Sequence, residues 1–412
     1  MHRSHILLSG WIGWSIGCAA PGPASAPAAA TRVRPGIEVL LTDSAALVRD
    51  RRVGLVTNQS GVDADSISDV VRLRSAGVRL VALFSPEHGF RGAADPGAAV
   101  ASSVDSATGL PIYSLYGRTS APTDEMLAGI DVLLVDLQDA GARYYTYITT
   151  TVDVMQAAAR NRIPVVVLDR PNPIGGAVQG NVLEPEHVTA VGRLVVPMRH
   201  GLTLGEQARL ARADLGLPVR LSVVPAAGWR RDMPFDRTGL PFIPPSPNLR
   251  TLESLYHYPG LCLFEGTNLS VGRGSNAPFE QVGSPWLDTT AVLAAFRAAN
   301  LAGVRARGVT FTPHAPGDGK YADTTLAGVR LEVTDRAAYD PPAAAVYLLA
   351  AVLGRHRETF QWIPKHIDRL AGTTSLRSAL DAGTDPAAII ADWAPARRAF
   401  LARRTSALLY PE

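Results

Sequence analysis

Short apolar, β-branched runs punctuate the first half of the chain. Arg52–Thr57, Val78–Phe84, Asp131–Asp136 and Ile163–Leu168 each read as a buried strand. Between them the apolar positions switch to helical spacing, as with Ile67, Val70, Val71 and Leu73 inside Ser66–Ala76, and again over Thr149–Arg160. Ile37–Asp50 reads as a strand or turn leading into a helix, and Thr123–Ala128 as a short helix capped by Thr123. Thr203–Leu215 is a helix whose first turn carries a capping box, Thr203 with Glu206. Strands alternating with helices predict βαβ units around a parallel sheet, so residues 37–215 are expected to form a Rossmann-like α/β domain. Residues 93–122 break the alternation. They are rich in Gly, Ala and Pro and are expected to run as a long excursion over the strand ends. Leu221–Pro225 opens a second region. Over 216–412 a smaller α/β or α+β domain is expected, with strands at Val309–Pro313 and Gly328–Val333 and helices at Ala343–Leu353 and Asp392–Leu401. The tail Leu408–Pro411 is expected to dock back as a strand.

In a parallel sheet the C-terminal strand ends share one edge. Each run above ends in polar residues: Asn58 and Gln59; Glu87, His88 and Arg91; Gln138, Asp139, Arg143 and Tyr144; Asp169, Arg170 and Asn172. The opposite ends are plain. This asymmetry predicts a ligand site on the polar edge. Its densest part is Ser85–Gly92, where an acid, an imidazole and a guanidinium follow a buried strand within a few residues. Taken alone, such a loop reads equally well as a surface turn with one capping carboxylate. A second dense cluster, Phe264–Ser275, groups Glu265, Asn268 and Arg273 among glycines, and is expected to line a site rather than to serve as a plain connector. No Gly-x-Gly-x-x-Gly follows the first strand and no Walker-type glycine loop occurs, so no nucleotide cofactor is expected. His88, His200, His257 and His314 lack ligand spacing, so no metal is expected either. No Gly-x-Ser-x-Gly elbow follows any of these strands, which argues against an esterase.

Length and charge narrow the classes further. The chain has 412 residues, 47% of them hydrophobic, enough for a sizeable core and two or three domains at about 150 residues each. A net charge of +3, without basic runs interleaved with aromatics, argues against a nucleic-acid partner. The N-terminus is informative. A mildly cationic start, the short apolar segment Ile6–Gly17 and the small residues before Cys18 have the form of an export signal ending in a lipobox, although Ser15 stands where leucine is usual. Residues 1–18 are therefore expected to direct export, Cys18 to carry a lipid anchor, and the Ala/Pro/Ser-rich stretch 19–36 to act as a flexible tether. Ordinary secretory cleavage near Ala19–Ala30 is the other outcome; both take the protein out of the cytoplasm. Cys262 is then left without a disulfide partner, and its apolar neighbours make it a small core residue.

Several of these motifs occur together elsewhere. Thr57–Gly61, Phe84–Gly92, Asp136–Asp139 with Gly141–Tyr147, Leu168–Pro173, Arg199-His200-Gly201 and Glu265–Asn268 closely resemble, in the same order, the exo-β-N-acetylmuramidase NamZ (YbbC-like) family. The likeness covers roughly residues 37–412, including the tryptophan near the C-terminus and the Leu-Leu-Tyr ending. Ala140 departs from it, where valine is more usual. The resemblance implies a Rossmann-like domain joined to a smaller one with the site between them, and release of N-acetylmuramic acid from the non-reducing end of peptidoglycan fragments. It implies Glu87 as general acid, with His88 or the loop backbone tuning it. Asp139 or Glu265 would activate water or act as nucleophile, unless the substrate's own acetamido group does so. Arg91, Arg143, Arg170, Arg199 and Arg273 are the candidates to hold the lactyl carboxylate, and Tyr144 and Tyr147 to stack on the sugar. Asn58, Gln59, Gln138, Asn172, His200 and Asn268 complete the candidate binding set. The competing reading is a non-catalytic, lipid-anchored peptidoglycan-binding protein.

Overall fold

A computed structural model describes residues 1, 2, 10 and 32–411. Among the described residues twelve strands lie in three sheets: β1 (Arg52–Thr57), β2 (Arg79–Ser85), β3 (Ser103–Val104), β4 (Pro111–Ser114), β5 (Val132–Asp136), β6 (Val165–Leu168), β7 (Gln179–Val182), β8 (Pro197–Arg199), β9 (Leu221–Val224), β10 (Gln281–Ser284), β11 (Val304–Phe311) and β12 (Leu326–Val333). The helices are α1 (Gly36–Asp43), α2 (Asp69–Ser75), α3 (Asp124–Leu127), α4 (Tyr147–Arg160), α5 (Leu204–Asp214), α6 (Leu252–Leu261), α7 (Thr289–Ala298), α8 (Pro341–Arg355), α9 (Pro364–Ala371), α10 (Ser375–Asp381), α11 (Pro386–Ala391) and α12 (Ala394–Arg404).

The main sheet has seven strands in the order β3-β4-β2-β1-β5-β6-β9, parallel except for the short edge strand β3. Its central strand shows why it forms. All five residues of β5 are buried, and the four apolar ones that precede Asp136 alternate between two cores. Leu133 and Val135 join the cluster that holds the apolar faces of α4 and α5; Val132 and Leu134 join the one that holds α1 and α2. A strand covered on both faces has to be apolar at every position, which is the pattern the sequence carries.

Several expectations need correction. Residues 93–122 are not wholly irregular: Pro111–Ser114 pairs parallel with β2 and widens the sheet. Leu221–Val224 does not begin a second domain. It pairs with β6 as the last strand of the main sheet, so the first domain extends beyond residue 215. The tether ends sooner than residue 36, because Val33 is fully buried, Arg34 bridges to Ala227, and the Gly36 N–H donates to the Asp169 carbonyl. The export signal, Cys18 and the rest of the tether lie outside the described residues.

The C-terminal half builds an antiparallel sheet, β10-β12-β11, packed with α6, α7 and α8. Its apolar residues are continuous with the α4–α5 core, so residues 32–411 form one compact unit. The tail docks, though not as a strand: the buried Tyr410 hydroxyl donates to Asp169 and accepts the Ala226 N–H.

Candidate active site

The parallel ladder β2-β1-β5-β6 does bring the four polar clusters to one edge. They take different work there. Asn58 is buried, donating to the Tyr147 hydroxyl and accepting from Ser60. Gln138 donates to the carbonyls of Asp139 and Pro171, and Asn172 to that of Leu202. Arg170 forks onto Asp136 at 2.5 and 2.9 Å and reaches the Val62 carbonyl. Burial pushes the Asp136 carboxyl up against that pairing, and pushes the neighbouring Asp69 carboxyl up as well. These groups stitch the strand-end loops together.

The cluster after β2 opens onto a cavity of about 380 Å³. Glu87 lies on its wall, 8% exposed. Its Oε1 accepts the Gly97 N–H at 2.9 Å and its Oε2 accepts the Thr146 hydroxyl at 2.6 Å. Gly97 comes from the excursion after β2 and Thr146 from the N-terminus of α4, so two separate elements fix one carboxylate. His88 holds the left-handed conformation (φ 71°), rare outside glycine, and its Nδ1–H donates to the Ala94 carbonyl at 2.8 Å. Burial pulls the imidazole below its ordinary range, favouring the neutral ring. Tyr116 sits beside Glu87; burial and that carboxylate push the phenol up to about 12.

The opposite wall comes from the C-terminal half. Glu265 lies in the 3-10 turn Cys262–Gly266. Its Oε1 accepts Arg273 Nε at 2.8 Å and Nη2 at 2.7 Å. Burial opposes charge on Arg273, but the Glu265 carboxylate more than offsets this and raises it above its usual range. The turn is held by Lys320, whose Nζ donates to the carbonyls of Glu265, Thr267 and Leu269 at 3.1, 2.6 and 3.1 Å. Gly266 lets it press onto α9: a Cβ there would meet the Ile367 backbone at 2.6 Å. Cys262 is buried, as expected, and its Sγ lies 3.4 Å from Glu265 Oε2. Burial pushes the thiol well up, so it stays protonated and unreactive.

Of the other predicted site residues, Tyr144 lines the cavity through its ring, its hydroxyl spent on the Pro259 carbonyl. Asp139 does not reach the cavity. It is buried, accepts the Gly141 N–H, and lies 3.5 Å from His200 Nε2; the Leu202 N–H donates to His200 Nδ1, which leaves the ring proton on Nε2, facing Asp139. Tyr147 donates to the Pro245 carbonyl, and Gln59 to those of Pro244 and Pro245. Asn268 bonds the backbone at Thr359 and Gln361. Arg199 is buried against Gln179, the Ile174 carbonyl and the Tyr256 ring. Arg91, 75% exposed, faces Asp105 at 3.9 Å. Arg143 donates to four carbonyls: Asn181, Val196, Leu370 and Ala371. The last two belong to the final turn of α9.

The cavity thus sets Glu87 on the wall from the first half of the chain and Glu265 and Asp318 on the wall from the second, among Tyr116, Tyr144, Tyr145 and Tyr258. Family models meet at the same division. The N-terminal model of exo-β-N-acetylmuramidase NamZ matches residues 53–253, and its C-terminal model residues 256–410. The chain belongs to the NamZ family. It is 40% identical over 395 residues to the peptidoglycan β-N-acetylmuramidase NamZ of Bacillus subtilis strain 168, covering 95% of each chain. Crystal structures of two DUF1343 family proteins from Bacteroides fragilis NCTC 9343 share the fold. One has a TM-score of 0.85 at 33% identity, covering 92% of this chain and 99% of its own; the other has 0.76 at 31%, covering 93% and 100%. The model boundary at 253/256 agrees with β9 belonging to the first domain.

The cavity also contains residues that sequence reasoning missed in this NamZ-family chain: Tyr116, Tyr145, Thr146, Ser246, Tyr258, Asp318, His366 and Arg369. A signal existed for two of them. In Pro364–Ala371, Ile367, Leu370 and Ala371 are buried, which turns His366 and Arg369, three apart, toward another face.

Proposed function

We propose that this protein is an exo-acting β-N-acetylmuramidase that releases N-acetylmuramic acid from the non-reducing end of peptidoglycan fragments. The observation that carries the reading is the pair Glu87 and Glu265 facing one cavity in a chain of the NamZ family. Glycoside cleavage needs a proton for the leaving oxygen and negative charge beside an oxocarbenium-like centre. Glu87 supplies the proton. Glu265, ion-paired with Arg273, faces the developing positive charge. The cavity is at the small end of ligand sites, which run from about 300 to 1,000 Å³, and so suits one terminal sugar rather than a threaded glycan. The tyrosine rings offer faces for that sugar. The full chain is to be assayed with a chromogenic β-N-acetylmuramide and, in parallel, the matching β-N-acetylglucosaminide. Release from the muramide alone is expected; no release from folded protein would favour the sugar-binding reading instead.

Export as a lipoprotein through Cys18 belongs to the same proposal, since an extracytoplasmic protein meets this substrate. Labelling with an alkyne fatty acid should mark the wild-type protein and not Cys18→Ser. Labelling that survives the substitution would remove the anchor from the proposal.

A further inference from the structure

Muramic acid differs from glucosamine by a lactyl ether at O3, whose carboxylate is the one formal charge on N-acetylmuramic acid. A site that selects it needs a cation free to pair. Of the five arginines that sequence reasoning offered, only Arg273 reaches the cavity, and Glu265 occupies it through two of its nitrogens. Arg143, Arg170 and Arg199 are buried and committed to carbonyls, Asp136 or Gln179. Arg91 lies outside the cavity, beside Asp105.

Arg369 differs from all of these. It lines the cavity from α9, and among the described residues its side chain makes no hydrogen bond or ion pair. His366, one turn earlier, lines the same wall, also without a side-chain hydrogen bond. The helix that presents them is firmly held. Arg143 clasps the carbonyls of Leu370 and Ala371 at 2.9 and 2.8 Å, and Gly372 closes the helix in the left-handed conformation. The C-terminal end of a helix favours cations, so an unpaired guanidinium sits there without cost.

We propose that Arg369 is the specificity residue that reads the lactyl carboxylate, with His366 donating or accepting beside it. The assignment rests on the muramidase reading, but binding tests it separately from turnover. A guanidinium forking onto a carboxylate makes two charge-assisted bonds, which at a solvent-exposed rim corresponds to a preference of about tenfold or more. Isothermal titration of the full chain with N-acetylmuramic acid and with N-acetylglucosamine should show the first bound more tightly. Arg369→Ala should erase that preference, and Arg369→Lys, which keeps the charge and loses the fork, should keep part of it. Far-UV circular dichroism and a melting curve check that each variant is folded. A folded Arg369→Ala protein that keeps the full preference overturns the inference, as does a wild type with no preference, or a preference lost only in Arg273→Lys. A wild type that prefers muramic acid through Arg369 yet hydrolyses no muramide would leave the inference standing and overturn the enzymatic reading.

Discussion

Glu87→Gln separates chemistry from structure at the residue the proposed mechanism needs most. The carboxylate accepts from the Gly97 N–H and the Thr146 hydroxyl. A glutamine amide fits the same two partners. Its oxygen accepts from Gly97, and its NH2 donates to Thr146 Oγ1, because a hydroxyl accepts as readily as it donates. No buried group is orphaned, so the melting temperature should stay within about 2 °C of wild type. The proton is lost, and removing a general acid costs about 10²–10⁴ in rate. At about 1.4 kcal/mol per factor of ten that is roughly 3–5 kcal/mol of barrier. The assay compares kcat/KM on a nitrophenyl muramide with that on a disaccharide bearing a sugar leaving group. Nitrophenolate departs without protonation far more easily than a sugar alkoxide. The loss should therefore be larger on the disaccharide. Equal losses on both substrates would remove Glu87 from the proton-donor role. Retention of more than about a tenth of wild-type activity on the disaccharide would refute its catalytic role altogether.

Three further outcomes follow from particular contacts. Arg143→Met leaves the carbonyls of Asn181 and Leu370 without their buried donor, while Ala371 keeps Asn181 Nδ2 and Val196 keeps the Leu183 N–H. Denaturant unfolding should show a loss of about 2–4 kcal/mol, and KM for the muramide should rise as α9 loosens. Lys320→Met frees the Glu265 turn; kcat should fall about 10–100-fold with a much smaller change in KM, and an unchanged kcat would detach Lys320 from positioning Glu265. Burial raises Asp169 to about 6 from 3.8, against the hydrogen bonds it accepts from Thr203 and Tyr410. A carboxyl raised on folding contributes stability that is full below pH ~4 and is lost as pH climbs through 6, up to about 3 kcal/mol for this shift. Denaturation midpoints measured from pH 4 to 7 should fall more steeply in wild type than in Asp169→Asn, and parallel curves would exclude Asp169 as the source.

What was legible in the sequence, and what was not, divides on one physical line. The sheet could be read because a strand buried on both faces must be apolar throughout, and its polar ending marks the edge where the ladder stops. β5 and its Gln138–Tyr144 sequel are the clearest case. The short strand β4 could not be read: four residues beginning with proline, inside a Gly-rich stretch, carry too little pattern, and only the exposed flank of β2 recruits them. Carboxylates that line the cavity were legible where local chemistry was dense, as at Glu87 and Glu265. The division of labour among the polar residues was not, because it depends on partners far away in the chain. Arg143 and Arg273 look alike as sequence, each a guanidinium close to a glycine in a polar cluster. One meets carbonyls 227 and 228 residues away, and the other meets a carboxylate eight residues back. Their roles follow from that difference alone. Arg143 spends one of its terminal nitrogens on the end of α9, and by doing so it helps set Arg369, which no motif marks, on the cavity wall with its own capacity unspent.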